Sequence, residues 1–111
     1  MKLWVDDLRA APEGWWRATT VTEAIRALAT QPCEEVSLDH DIACYAYIGS
    51  LGVSVEHSIE ETFEGVAWYI AAMKTRPSII HLHTANPWGA KAMAGILGLP
   101  FPACWKMAVM E

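Results

Sequence analysis

Three short apolar runs, each breaking off into a burst of polar side chains, constrain this chain more than any other feature. Leu3-Trp4-Val5 gives way to Asp6-Asp7-Leu8-Arg9, Val36-Ser37-Leu38 to Asp39-His40-Asp41, and Ile79-Ile80-His81-Leu82 to His83-Thr84-Ala85-Asn86-Pro87. Short β-rich runs with polar ends mark a parallel sheet, which gathers functional groups beyond the carboxyl ends of its strands. If the three strands are neighbours, Asp6, Asp7, Asp39, Asp41 and at least one imidazole converge on one patch. Such a concentration of negative charge calls for a cation.

A chain of 111 residues with 53% hydrophobic side chains has the size and composition of one globular domain, 1–111, near the lower limit for a self-sufficient core. The formal charge of -5 excludes a broad basic face and with it non-specific duplex binding. Small phosphorylated ligands stay compatible, because a divalent ion would cancel the excess where it is densest. Cys33, Cys44 and Cys104 share no metal-ligand spacing and, without a signal peptide, read as reduced thiols of a cytoplasmic protein. No apolar segment reaches membrane-spanning length. Among the six tryptophans, Trp15-Trp16 lie in a stretch flanked by Pro12 and Gly14, where one of them is placed to be exposed or to cover a pocket.

The pattern predicts strands over 2–6, 17–21, 35–39 and 79–83, with a last one over 105–110. Thr20 and Glu23 form a T-x-x-E capping box, opening a helix with Ala24, Ile25, Leu28 and Ala29 on one face and Pro32 beyond its end. Ser58 and Glu61 form a second box ahead of a helix built on Phe63, Val66, Ala67, Tyr69, Ile70 and Met73. Asn86-Pro87 starts a third helix, which runs to about Gly98. The stretch 42–57 has no period and is long for a loop in a compact domain, the mark of a lid, a binding loop or an interface. The order β-β-α-β-α-β-α-β predicts an α/β fold with a mainly parallel sheet flanked by helices.

Asp6-Asp7 at a strand end offers two hard oxygen ligands to magnesium or manganese, or else forms a polar turn. Asp39 and Asp41, spaced i and i+2, lie on one side of an extended segment. They share a metal with the first pair, or one acts as nucleophile or base; alternatively Asp41 begins an Asx turn and His40 is exposed. His83, at the end of its strand, is placed to bind metal or exchange a proton with a phosphoester oxygen, whereas His81 reads as a core histidine. Thr84, Asn86 and the amides opening the helix at Pro87-Trp88-Gly89 make a phosphate seat. Arg9 contacts a phosphate or bridges to Asp7; Lys91 is either within reach of the seat or solvated.

An acid pair after the first strand, an Asp ending a central strand and Thr84 after a later one resemble the receiver fold of response regulators, in which three acids hold magnesium around a phosphorylated Asp. The chain departs from it in three ways. About ten residues separate the first two strands, too few for the usual crossover helix. The centre is Asp39-His40-Asp41, and the usual lysine after the last strand has no clean counterpart, since Lys106 lies inside the last apolar run. With these differences the chain more closely resembles the receiver-like domains proposed to process cyclic phosphates. The matching residues are Trp4, Asp6, Asp7, Arg9 and Pro12 in a W-x-D-D-x-R-x-x-P start, Leu38 to Asp41 in an L-D-H-D centre, and His83, Asn86, Pro87, Gly89 and Met93 around an H-x-x-N-P segment. The resemblance covers most of the chain except 42–57, which reads as an insertion.

It implies a small receiver-like, flavodoxin-like sheet with the first crossover helix missing, and a metal-dependent phosphoesterase or binder for a cyclic phosphate in RNA or a nucleotide. Asp6, Asp7, Asp39 and Asp41 would hold magnesium or manganese, Asp39 and His83 would do the chemistry, and Arg9, Thr84 and Asn86 would bind phosphate. The alternative is a non-catalytic module, such as a phage or mobile-element inhibitor, that captures a nucleotide or a host protein through 42–57 and the tryptophans. A phosphoacceptor receiver using Asp39 ranks last, because Asp41 adds a negative charge where a phosphate would sit.

Overall fold

The computed structural model describes residues 1–42 and 62–106. The expected loop beyond Ile42, the box at Ser58 and Glu61 and the end of the last expected strand lie outside the described residues. Four strands, β1 (Lys2–Val5), β2 (Trp16–Ala18), β3 (Glu35–Leu38) and β4 (Ile79–Leu82), form one sheet in the order β2-β1-β3-β4 with every pair parallel. Among the described residues three helices flank it: α1 (Val21–Thr30), α2 (Glu64–Ala72) and α3 (Pro87–Leu97). This is the expected α/β architecture, and β1 passes to β2 through residues 6–15 with no helix between them.

Alternation along the strands sorts the sheet into two unlike faces. Leu3, Val5, Val36, Leu38 and Leu82 are fully buried and share one core with Ala24 and Leu28 of α1, Val66 and Ile70 of α2, and Met93 and Leu97 of α3. On the other face the register aligns Arg17, Trp4, Ser37 and His81. There the β1–β2 connection supplies cover: Trp15 meets Trp4 edge-on at 6.1 Å, and the Lys2 ammonium lies 5.9 Å above the Trp15 ring.

The helix starts follow their capping chemistry. Thr20 Oγ1 accepts from the Glu23 amide at 3.0 Å, while the Glu23 carboxylate reaches back to the Thr19 amide and hydroxyl rather than to Thr20 itself. Committing Thr19 and Thr20 to this start ends β2 at Ala18, short of the expected 17–21. In α1 the buried positions are Ala24, Ala27 and Leu28, with Ala29 exposed, so the apolar face is turned slightly from the expected one. Asn86 caps α3, Pro87 is its first residue, and Gly98 ends it in the left-handed region at φ 68, where a side chain would strain the backbone. α2 begins at Glu64, whose amide donates to Thr62 Oγ1. The last expected strand is reduced, among the described residues, to a parallel bridge between Trp105 and Leu82.

Candidate functional site

The functional side chains stand where the strands stop. β1, β3 and β4 each end one residue earlier than expected, and the next residue steps out of the sheet with its amide still held by the neighbouring strand. The amide of Asp6 donates to the Ala18 carbonyl, that of Asp39 to Val5, that of His83 to Leu38 and that of Lys106 to Leu82. Because each donor lies one position beyond a paired residue, Asp6, Asp39, His83 and Lys106 occupy equivalent rungs across the sheet. Lys106 therefore follows the outermost strand position directly, at the place where the sequence offers no clean counterpart to the receiver lysine.

Asp6 is the hub and is fully buried. Its Oδ1 accepts from the amides of Leu8 and Arg9 at 2.8 and 2.9 Å, an Asx turn that bends the chain straight after β1. Its Oδ2 lies 2.9 Å from His83 Nε2 and 3.2 Å from Arg9 Nη1. Burial alone would raise the Asp6 pKa, but the His83 bond and the two amides outweigh it and hold the carboxyl at about 2. An ionised carboxylate only accepts, so His83 Nε2 carries the proton; in the neutral imidazole Nδ1 then accepts from the Ser37 hydroxyl, 2.7 Å away. Trp4 stacks on the His83 ring at 3.9 Å and 8°, fixing its plane.

Asp39 accepts from the His40 amide at 2.8 Å and lies 3.5 Å from the same Arg9 Nη1. Burial, then the charge of Asp6, pushes its pKa up. One carboxylate oxygen from each of Asp6, Asp7 and Asp39 lies within 4.8 Å of the other two. Three clustered hard-oxygen donors suit a divalent cation of the magnesium or manganese type. Arg9 partly neutralises the cluster in the same region, and its Nε is buried without a hydrogen-bond partner among the described residues.

Asp41 does not join this group. Its Oδ1 is 2.7 Å from His40 Nδ1 and accepts from Asn86 Nδ2 at 3.2 Å. His40, which the exposed alternative would put in water, is buried, and its Nε2 lies 3.1 Å from Glu64 Oε2. Burial alone would lower the His40 pKa, yet the bonds to the two carboxylates raise it. The ring packs against α3 so closely that a Cβ on Gly89 would collide with it.

The expected phosphate seat is largely committed internally. Asn86 Oδ1 accepts from the amides of Trp88 and Gly89 at 3.0 and 3.2 Å, the two donors an anion would otherwise use. Thr84 is buried, and its Oγ1 accepts from the Asn86 amide. His81 is half-buried and pairs with Glu35 at 2.8 Å, a structural contact as its position in the strand suggests. Trp4, Ser37 and Glu64 escaped the sequence reading as parts of the site. Ser37 shares a strand face with Asp39, a parity signal in the chain itself, whereas nothing local links Glu64 to His40.

Among the described residues no helix is long and apolar enough to cross a membrane. Comparison with curated proteins and with solved structures gave no match. The model of the family described as "Cyclic-phosphate processing Receiver domain" matches residues 1–98. With that match over most of its length and this arrangement of acids at the strand ends, the chain belongs to the family of cyclic-phosphate processing receiver domains.

Proposed function

We propose that this protein binds, and with a divalent cation hydrolyses, a cyclic phosphate carried by RNA or a nucleotide. The observation that carries the reading is the Asp6, Asp7 and Asp39 cluster at the carboxyl ends of a receiver-type sheet, in a family described by cyclic-phosphate processing. When bound there, magnesium or manganese supplies a Lewis acid for the phosphoryl oxygens and acidifies a water. The three carboxylates would hold the ion. His83 acts as a positioning residue: its Nε2 proton locks Asp6 and its Nδ1 is anchored to Ser37. Arg9, whose Nη1 lies at Asp6 and Asp39, would supply a guanidinium for the substrate phosphate. Asp41 and Asn86 serve this site from outside, by fixing His40 and the start of α3.

Calorimetric titration of magnesium and manganese into chelator-treated protein tests the cluster. Saturable binding in the wild type, lost in Asp39→Asn, is expected; equal affinity in both proteins overturns the metal assignment. Turnover of cyclic ribonucleotides is then assayed with the loaded protein.

A second reading, a non-catalytic binding module, is favoured by one observation: both His83 nitrogens and the α3 amides are already committed to protein groups. Retained ligand binding in metal-free buffer without turnover would select it.

A further inference from the structure

A cavity of about 400 Å³ opens between the edge strand β2 and helix α1, away from the carboxylates. Its lining includes Trp16 and Arg17 of β2 and Glu23, Arg26, Ala27 and Thr30 of α1. The volume is that of a small-molecule site. Two of the eight lysines and arginines of an acidic chain face it. The acid in this lining is occupied: the Glu23 carboxylate accepts from the Thr19 amide at 2.8 Å and from its hydroxyl at 3.0 Å. Trp16 is 58% exposed on a strand with no described neighbour on its outer side, an unfavourable place for an indole that serves only packing.

Arg17 joins this cavity to the carboxylate cluster. Arg17 is among the residues lining the cavity, and its Nε donates to the main-chain carbonyl of Asp6 at 3.2 Å, so one residue touches both the cavity and the hub of the cluster. Arg17 thus stands between the cavity and the main chain of Asp6.

We propose that the cavity is a subsite for the nucleotide next to a terminal cyclic phosphate, making the ligand single-stranded RNA rather than a free cyclic mononucleotide. This rests on the cyclic-phosphate reading for the end group. The chemistry in the cavity matches a nucleotide. The exposed indole offers a stacking surface to a base of any identity, and Arg17 with Arg26 offers planar donors to the connecting phosphodiester. Two arginines at one cavity suit one or two phosphates of a single strand, while the net charge of -5 does not suit a duplex track.

Fluorescence anisotropy with a short end-labelled oligoribonucleotide tests it, comparing a ribose cyclic phosphate end with a plain hydroxyl end and using a cyclic mononucleotide as competitor. Trp16→Ala and Arg26→Glu should each weaken the cyclic-ended oligomer about tenfold. Trp16→Phe should retain most of the affinity, and the competitor should bind every variant equally. Unchanged oligomer affinity in both Trp16→Ala and Arg26→Glu overturns the subsite, as does equal competition by a duplex. If both variants weaken the two oligomers alike and the cyclic end confers no advantage, the subsite stands and the cyclic-phosphate reading falls.

Discussion

Asp6 and Arg9 show how much of this site depends on single charges. The Asp6 carboxyl has its pKa lowered from 3.8 to about 2 in the folded protein. A depressed carboxylate stabilises the fold above its unfolded pKa and loses that contribution as pH falls through the folded value. Asp6 therefore contributes about 2 kcal/mol at neutral pH, lost between about pH 4 and about pH 2. Urea denaturation across that window should show a steeper loss in the wild type than in Asp6→Asn. Arg9 Nη1, at 3.2 and 3.5 Å from Asp6 and Asp39, competes with any metal for the same oxygens. Arg9→Gln should lower thermal stability in chelator, because the acids then repel one another unscreened, and should raise magnesium affinity about tenfold by calorimetry. Lower affinity in that variant would show the guanidinium to be a partner of the ion rather than its rival.

At the scale of elements, α3 is held to the site by Asn86 and by the close fit of Gly89 on His40. Gly89→Ala puts a methyl group into the His40 ring and should cost about 2 kcal/mol by denaturant titration while disturbing the His40 bonds to Asp41 and Glu64. Asn86→Ala removes only the cap and the Asp41 bond and should cost about 1 kcal/mol. What could be read in advance follows the same division. The Thr20 cap, the Asn86-Pro87 start and the Gly98 stop are local chemistry and are found where the chain announces them. The end of β2 is a contest between two local signals, an extended run and a helix cap, and the cap wins at Thr19 and Thr20. Asp41 illustrates the limit of spacing arguments. Its i, i+2 relation to Asp39 assumes that the strand continues, but β3 stops at Leu38 and Asp41 turns to His40 and Asn86.

Across the whole molecule, the legible part was the meeting of three strand ends; the illegible part was everything held by long-range contact. Glu64 reaches His40 from 24 residues away, and Ser37 reaches His83 from 46, distances over which no period in the chain carries information. The same long-range assembly predicts a global response to metal. A cation that binds the folded cluster and not the unfolded chain should raise the melting temperature with its concentration, in the wild type and not in Asp39→Asn. Calorimetric melts with and without magnesium check this. The row of rungs across Asp6, Asp39, His83 and Lys106 has a consequence of another kind. Strand side chains have only two orientations, so the site depends on counting: one residue added inside β3 would leave every acid in the chain yet bring Leu38 to the rung that Asp39 now holds. Evolution of this protein can therefore lengthen its connections far more freely than its strands, whose lengths are fixed to the single residue by parity.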